Sequence, residues 1–258
     1  MTRSLLFECC EDHHACRTPE ESYIGLKLID CITRYIVSKP SSTKYAALSY
    51  VWGGPEAALP EDGPDGPRLA SQVSLVIEDA IKAALYLGLQ YLWVDQYCVE
   101  QIDKEIQARQ IQQMYQVYNS AEVTLVAAVG GDANSGLAAV CSSSEIITKY
   151  TRDGEDGEDS DGYEDMWDPN TGLHRTLKYI EDSVWNTRGW TYQESYVSRQ
   201  AIVFHGYGIY FECVDTGSVL IQNTELWGHR MPMMDGGQIS ALQMDLEYAI
   251  SQSIMGGT

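Results

Sequence analysis

Three short apolar runs constrain the fold of this chain more than any other feature of its sequence. They are YAALSYVW (Tyr45–Trp52), YLWVD (Tyr91–Asp95) and EVTLVAAV (Glu122–Val129). Runs of this length without polar alternation are typical of strands that are covered on both faces. Helix-like spacing separates them, and this alternation predicts an open, mostly parallel α/β sheet flanked by helices. In such sheets ligands bind beyond the carboxyl ends of the strands, where the first two runs end.

The two intervening helices have recognisable boundaries. Ile77 to Gly88 carries apolar residues at helical spacing, with Ser74 as a plausible N-cap and Gly88 as the stop. Asp103 is placed to cap a second helix. The apolar face predicted for that second helix consists of Ile111, Met114, Tyr115 and Tyr118.

Further elements are predicted on either side of this central region. Ile24–Val37 alternates in two short runs and predicts an N-terminal β-hairpin. Leu59–Pro67 is rich in Pro, Gly and Asp and predicts a loop. The elements expected toward the C-terminus are a helix at Thr191–Val197, strands at Ala201–Phe204 and Ile209–Cys213, and a helix at about 238–254.

Negative charge dominates the chain, whose formal net charge is −20. Asp153–Asp165 reads DGEDGEDSDGYED and predicts a solvated acidic insertion, at about residues 150–168, because it repels itself and has no apolar face. Its spacing does not fit an EF-hand calcium loop. The remainder of the chain is acidic as well, which argues against nucleic acid and membrane surfaces as partners.

No apolar stretch approaches the roughly 20 residues that a bilayer span needs, and the first residues lack a signal-peptide core. We therefore expect a cytoplasmic protein whose seven cysteines are reduced. The best metal-ligand candidates are Cys9, Cys10, His13, His14 and Cys16. They fit zinc by type, but no second half of a site follows at the usual separation. The expectation is a loosely ordered N-terminal segment over residues 1–20, without a metal.

Common catalytic signatures are missing. The sequence has no GxGxxG after its first strand, no GxxxxGK[ST] loop, no GxSxG elbow and no HExxH motif. No histidine stands beside an evident nucleophile. We therefore expect no bound cofactor.

Three segments resemble the signature blocks of the fungal heterokaryon incompatibility (HET) domain. They are YAALSYVWGG (Tyr45–Gly54), YLWVDQYCVEQ (Tyr91–Gln101) and NTRGWTYQESYVSRQ (Asn186–Gln200). The blocks occur in the family's order, and the resemblance covers roughly residues 24–214. It implies a single HET domain over residues 21–258. The matching positions are Tyr45, Ala47, Leu48, Ser49, Tyr50, Trp52, Gly53, Leu92, Trp93, Asp95, Cys98, Gln101, Arg188, Trp190, Thr191, Gln193 and Glu194.

The resemblance implies a cell-death effector of fungal non-self recognition. HET domains are considered remote relatives of TIR domains, which are flavodoxin-like α/β modules, some of which cleave NAD⁺ with a glutamate. Trp190 precedes Glu194 by four residues, similar to the layout around the TIR glutamate, and this spacing puts both on one helix face. By this resemblance the chain is a candidate NAD⁺ glycohydrolase that self-associates, with NAD⁺ as substrate and a possible regulatory protein partner.

Glu194 is then the catalytic candidate, and the expected substrate-binding residues are Tyr50, Trp52, Gly53, Trp93, Asp95, Arg188 and Trp190. Ordinary structural roles remain open for several of these residues. Tryptophans of this kind are more often core or interface residues than ligand platforms. Asp95 is suited to capping a turn, and Arg188 to an ion pair with Glu194 or Asp95. The alternative function is a non-catalytic signalling module that triggers cell death by homotypic assembly and partner recruitment.

Overall fold

The computed structural model describes Cys9, His13, Cys16 and Val140 individually, together with residues 26–52, 60–137, 177–205, 208–215 and 217–222. The acidic insertion, the C-terminal helix and most of the N-terminal segment predicted from the sequence lie outside the described residues.

An eight-stranded sheet forms the centre of the described structure, in the order β10-β9-β8-β7-β3-β6-β1-β2. A two-stranded hairpin, β4-β5, accompanies it. The strands are β1 Leu26–Asp30, β2 Ile36–Lys39, β3 Tyr45–Ser49, β4 Glu61–Gly63, β5 Gly66–Arg68, β6 Tyr91–Trp93, β7 Val123–Ala127, β8 Gln200–His205, β9 Gly208–Cys213 and β10 Gly217–Gln222.

The middle of the sheet is parallel. β6, β3, β7 and β8 pair in parallel, whereas β1 and β9 run against the other strands and pair antiparallel with both of their neighbours. The predicted α/β class is therefore confirmed, as a mixed sheet with a parallel centre. The predicted N-terminal hairpin is confirmed by the antiparallel pairing of β1 with β2.

Chain order in this parallel centre creates a topological switch point. Numbered along the chain as 1 to 4, the strands β3, β6, β7 and β8 stand in the sheet as 2-1-3-4, the order that begins a flavodoxin-like sheet. The chain leaves β3 toward one side to form β6, then crosses back to form β7 on the other side. Ligand crevices of such sheets open beyond the strand ends at this reversal, here at the end of β3.

In the described part of the chain, the sheet is flanked by the helices α1 Leu75–Tyr86, α2 Asp95–Cys98, α3 Lys104–Gln112, α4 Met114–Ser120 and α5 Gly189–Val197. The chain is also helical over 177–181. α1 connects β3 to β6, and right-handed crossovers place it on the opposite face from α4 and α5, whose connections run in the other direction. Contacts between α4 and α5 agree with this arrangement. None of these described helices is long and apolar enough to cross a membrane.

Helix boundaries follow the predicted signals, with one correction. α1 begins after Ser74, and Gly88, at φ +83°, lies just beyond its end. The Asp103 carboxylate accepts the first free backbone N–H groups of α3. The predicted single helix after Asp103 is wrong, because the chain breaks at Gln113 into α3 and α4. Its predicted apolar face is wrong in part: Tyr115 is 55% exposed, whereas Tyr118 is buried.

Burial explains why the three apolar runs lack alternation. Every residue of β3 and β7 is buried, and so are Leu92 and Trp93 of β6, so both faces of these strands are covered. Short elements with little apolar content escaped prediction. The β4-β5 hairpin lies within and just beyond the predicted loop at Leu59–Pro67, and its strands have three residues each.

Candidate functional site

Glu194 lies at the end of β3, although the two are far apart in sequence. It belongs to α5, and its Oε2 accepts a hydrogen bond from the hydroxyl of Ser49, the last residue of β3. The residue is 6% exposed. The catalytic candidate therefore stands at the switch point, where ligand crevices of this fold open.

A chain of hydrogen bonds fixes the Glu194 carboxyl and its helix. Ser49 Oγ accepts a hydrogen bond from Trp185 Nε1 at 2.8 Å. The single proton of the same hydroxyl is donated to Glu194. At the end of α5 the Ser198 hydroxyl donates to the Glu194 carbonyl at 2.6 Å. Ser198 also lies 2.6 Å from the hydroxyl of Thr124 on β7. The helix is thus anchored to two neighbouring parallel strands.

Arg188 precedes α5 directly and brings a positive charge to the same strand end. Its Nη1 donates to the carbonyl of Tyr50, the residue after β3. The Tyr50 hydroxyl in turn donates to Gln96 Oε1 at 2.7 Å, which links the end of β3 to the start of α2. Burial raises the pKa of Tyr50, so the phenol stays protonated.

Asp95 is the second carboxyl group of the site. It begins α2, two residues beyond the end of β6, and its Oδ2 accepts the indole N–H of Trp52 at 2.8 Å. Its Oδ1 accepts the backbone N–H of Gln96 at 2.7 Å. The residue keeps some surface exposure, but neighbouring atoms enclose its carboxyl. This desolvation raises its pKa to about 7, with the negative charge of Glu194 adding to the rise and Arg188 opposing it.

Glu194 also has a raised pKa. Burial is the main cause, and the Ser49 hydroxyl and the Arg188 charge oppose it by favouring the carboxylate. Burial raises the pKa of the Tyr118 phenol, and the charges of Glu194 and Asp95 add to this rise. The two carboxyl groups and the guanidinium thus influence one another across a shared region with little water. Two carboxyl groups with raised pKa values at a strand end are typical of functional sites.

The structure brings together five of the sequence-predicted residues: Tyr50, Trp52, Asp95, Arg188 and Glu194. Trp93 is 2% exposed and packs edge-on against Tyr118, with ring centroids 5.3 Å apart, a placement that favours the core alternative. Gly53 and the side chain of Trp190 lie outside the described residues, although the Trp190 backbone is part of α5.

The structural roles considered for Arg188 and Asp95 can be compared with this geometry. Among the ion pairs of the described residues, none joins Arg188 to Glu194 or to Asp95. Arg188 therefore acts on the carboxyl groups through its charge, while one of its N–H groups holds the Tyr50 carbonyl. Asp95 does bond the backbone of the residue that follows it, so the turn-capping role and a role in the site are both compatible with its position.

Sequence reasoning missed Ser49, Trp185 and Gln96 as members of the site. Ser49 carried a signal, because it ends a buried strand at the predicted ligand edge. No local sequence pattern marks Trp185 or Gln96, because each contacts a partner far away in the chain. Among the described residues, no potential metal-holding group includes Glu194 or Asp95.

The strand order and the carboxyl groups at its switch point define an α/β domain of the doubly wound class with a polar site at the ligand edge. A family model described as "Heterokaryon incompatibility protein (HET)" matches residues 45–194, from the first residue of β3 to Glu194. The chain therefore belongs to the HET family, and its membership indicates a role in heterokaryon incompatibility and cell death. No curated protein and no solved structure matches the chain.

Proposed function

We propose that this HET domain is a remotely TIR-like NAD⁺ glycohydrolase in which Glu194 is the catalytic residue. The observation that carries the proposal is the placement of the Glu194 carboxyl against Ser49, at the end of β3 and at the switch point of the sheet. A second carboxyl, Asp95, and one guanidinium, Arg188, act on the same region.

The reaction needs a negative charge beside the ribose. Breaking the bond between nicotinamide and C1′ leaves positive charge on the sugar, which a carboxylate stabilises as in glycoside hydrolysis. Nicotinamide takes the bonding electron pair and leaves as a neutral molecule, so neither a metal nor a strong acid is required. Water then adds to C1′ and gives up a proton. Asp95, whose pKa is about 7, is suited to accept that proton near neutral pH.

Because the chain is so acidic, binding a dinucleotide requires a positive charge beside its pyrophosphate. Arg188 uses Nη1 on the Tyr50 carbonyl, and a guanidinium has further N–H donors for a pyrophosphate. Trp52 is 41% exposed and presents a flat indole face beside Asp95 for a base or nicotinamide ring. The proposal includes a cytoplasmic location. It also includes homo-oligomerisation, because TIR-type enzymes complete their site by self-association.

The direct test follows nicotinamide release from NAD⁺ by the purified protein at increasing protein concentration. The Glu194→Gln variant keeps the side-chain volume and removes the charge, and we expect it to lose about 100-fold or more of the rate. Glu105→Gln is the matched control, because the Glu105 side chain is 91% exposed on α3. The control is expected to keep the wild-type rate.

Two results would contradict the enzymatic proposal. One is no nicotinamide release above the protein-free blank at any protein concentration. The other is a folded Glu194→Gln variant, verified by circular dichroism, that releases nicotinamide as fast as the wild type.

One observation favours the second candidate function, a non-catalytic signalling module. Glu194 is buried and bound to Ser49, as a structural carboxyl would be. In that case the domain acts by homotypic assembly and recruitment of a protein partner. Expression of Glu194→Gln in fungal cells distinguishes the two functions. Cell death without NAD⁺ depletion supports the signalling module, whereas survival of the cells with the folded variant supports the enzyme.

A further inference from the structure

Three thiols and an imidazole converge at the opposite end of the sheet from Glu194. Cys9, His13 and Cys16 come from the N-terminal segment, and Cys213 is the last residue of β9. His13 Nδ1 lies 3.3 Å from the Cys9 sulfur, 3.9 Å from that of Cys16 and 3.6 Å from that of Cys213. All four potential ligand atoms lie within 4.8 Å of one another.

The distances from His13 Nδ1 to the three sulfurs are close to the sulfur–nitrogen edges of a metal-centred tetrahedron. Bond lengths of about 2.3 Å from zinc to sulfur and about 2.0–2.1 Å to nitrogen place sulfur and nitrogen about 3.5–3.6 Å apart. The three observed distances from His13 Nδ1 are distributed around this value. Nδ1 offers one lone pair or one proton, so a hydrogen bond from it satisfies a single thiol. A shared cation accounts for the approach of all three sulfurs.

The backbone turns the three N-terminal ligands toward one point. The His13 N–H donates to the Cys9 carbonyl at 2.9 Å, and the Cys16 N–H donates to the His13 carbonyl at 3.2 Å. Cys9, Cys16 and Cys213 are buried, while His13 is partly exposed. Cys9 and Cys16 are thus each joined to His13 by a backbone hydrogen bond.

Arg199 ties this segment to the sheet. Its Nη1 donates to the Cys16 carbonyl, its Nε to the Asn119 carbonyl at 2.6 Å, and its Nη2 to the Ala121 carbonyl at 2.8 Å. Arg199 directly precedes β8, whose first residue pairs with Cys213. The four ligands therefore meet beside a rigid part of the fold.

We propose that Cys9, His13, Cys16 and Cys213 bind one Zn²⁺ ion. Three thiolates and one imidazole are a common ligand set of structural zinc sites, and four protein ligands leave no open position for catalysis. The sequence predicted no metal because no second half of a site follows the N-terminal cysteines and histidines at the usual separation. Cys213 supplies the fourth ligand from 200 residues beyond His13. The proposal is independent of the NAD⁺ reaction, because Cys213 pairs with the start of β8 and Glu194 meets the end of β3.

The ion holds the N-terminal segment against β9. Without it, three thiols crowd one imidazole, while Arg199 still holds the Cys16 carbonyl. Loss of the metal is expected to loosen the contacts of Cys9 and His13 with Cys213, while the parallel centre of the sheet keeps its pairing.

The test measures zinc in the full chain, expressed in zinc-supplemented medium and purified without chelators or a metal-binding tag, by inductively coupled plasma mass spectrometry. We expect about one zinc ion per chain. Cobalt substitution is expected to give the intense visible bands of tetrahedral thiolate coordination. Cys213→Ser and His13→Ala are each expected to lower the zinc content at least about tenfold, consistent with the loss of one of four ligands. Cys31→Ser is the matched control, because Cys31 is a buried free cysteine outside the cluster.

Several outcomes would overturn the assignment. They are a wild-type chain that neither retains zinc nor takes it up on reconstitution, a disulfide among the three cysteines found by mass spectrometry of the untreated protein, and full zinc content in both ligand variants. His13→Ala removes the partly exposed ligand, so it remains informative if Cys213→Ser does not fold.

Discussion

Replacement of Asp95 by Asn is expected to stabilise the protein at alkaline pH and to have little effect at acidic pH. In the folded protein the pKa of Asp95 is raised from 3.8 to about 7 by burial. Between these two values the folded state holds a proton that the unfolded state has released, so the free energy of unfolding falls as the pH rises. Asn is neutral throughout and does not suffer this loss.

The size of the effect follows from the pKa shift. A shift of about three units corresponds to a ceiling of about 4 kcal/mol, at about 1.4 kcal/mol per unit. Asp95 keeps some contact with water, and Asn accepts more weakly from Trp52 Nε1 and the Gln96 N–H than a carboxylate does. Both factors reduce the gain. We expect Asp95→Asn to raise the free energy of unfolding by about 1 to 2 kcal/mol above pH 7, and by much less near pH 4.

Urea denaturation followed by circular dichroism, at a series of pH values from about 4 to about 8, measures this difference. Glu100→Gln is a control of opposite sign. The pKa of Glu100 is lowered, chiefly by the backbone N–H of Ile102, so this variant is expected to lose stability toward neutral pH. A gain from Asp95→Asn that is equal at all pH values, or a loss above pH 7, would refute the reasoning.

Two further predictions concern buried polar contacts and backbone strain. Ser49→Ala removes the acceptor of the buried Trp185 N–H and the donor to the Glu194 carboxyl, which we expect to lower the free energy of unfolding by about 2 to 4 kcal/mol in urea denaturation. Gly136→Ala adds a Cβ at φ +69°, 2.8 Å from Oδ2 of the buried Asp79. We expect it to cost about 1 to 3 kcal/mol and to lower the melting temperature in calorimetry.

Controls for these two variants separate the named cause from a general effect of substitution. Gly131→Ala places a Cβ in open space on the same loop and is expected to be nearly neutral. A Gly136→Ala variant as stable as Gly131→Ala would contradict the strain argument. Ser49→Thr keeps the hydroxyl, so it is expected to retain more stability than Ser49→Ala. Equal losses from the two Ser49 variants would show that volume rather than hydrogen bonding matters there.

The sheet was predictable to the extent that its strands are buried on both faces. Tyr45–Ser49 and Val123–Ala127 stand out because covered strands need unbroken apolar sequence. The N-terminal hairpin and the capped start of α3 follow from alternation and from Asp103. The break at Gln113 was not predictable, because the helical spacing continues across it and tertiary packing selects Tyr118 over Tyr115 for burial.

The candidate site was predictable only in part. Glu194 was selected by resemblance, and the carboxyl-end rule placed Asp95 near it. Neither source gives the Ser49 hydroxyl as the partner of Glu194, since a hydrogen bond between residues 145 positions apart leaves no local pattern. The zinc ligands show the same difficulty more strongly, because Cys213 alone has no sequence signal and its role depends on the pairing of β9 with β8.

The hydrogen bond between Ser49 and Glu194 has a consequence for the timing of biosynthesis. The first carboxyl of the site, Asp95, is made early, but Glu194 follows only after β7, and its helix is anchored by Ser198 and Thr124. While this helix is still inside the ribosome, β3 has already been made. Its last residue, Ser49, then lacks its partner Glu194. The contact between Ser49 and Glu194 therefore forms late in translation, after β3 and Asp95 have already been made.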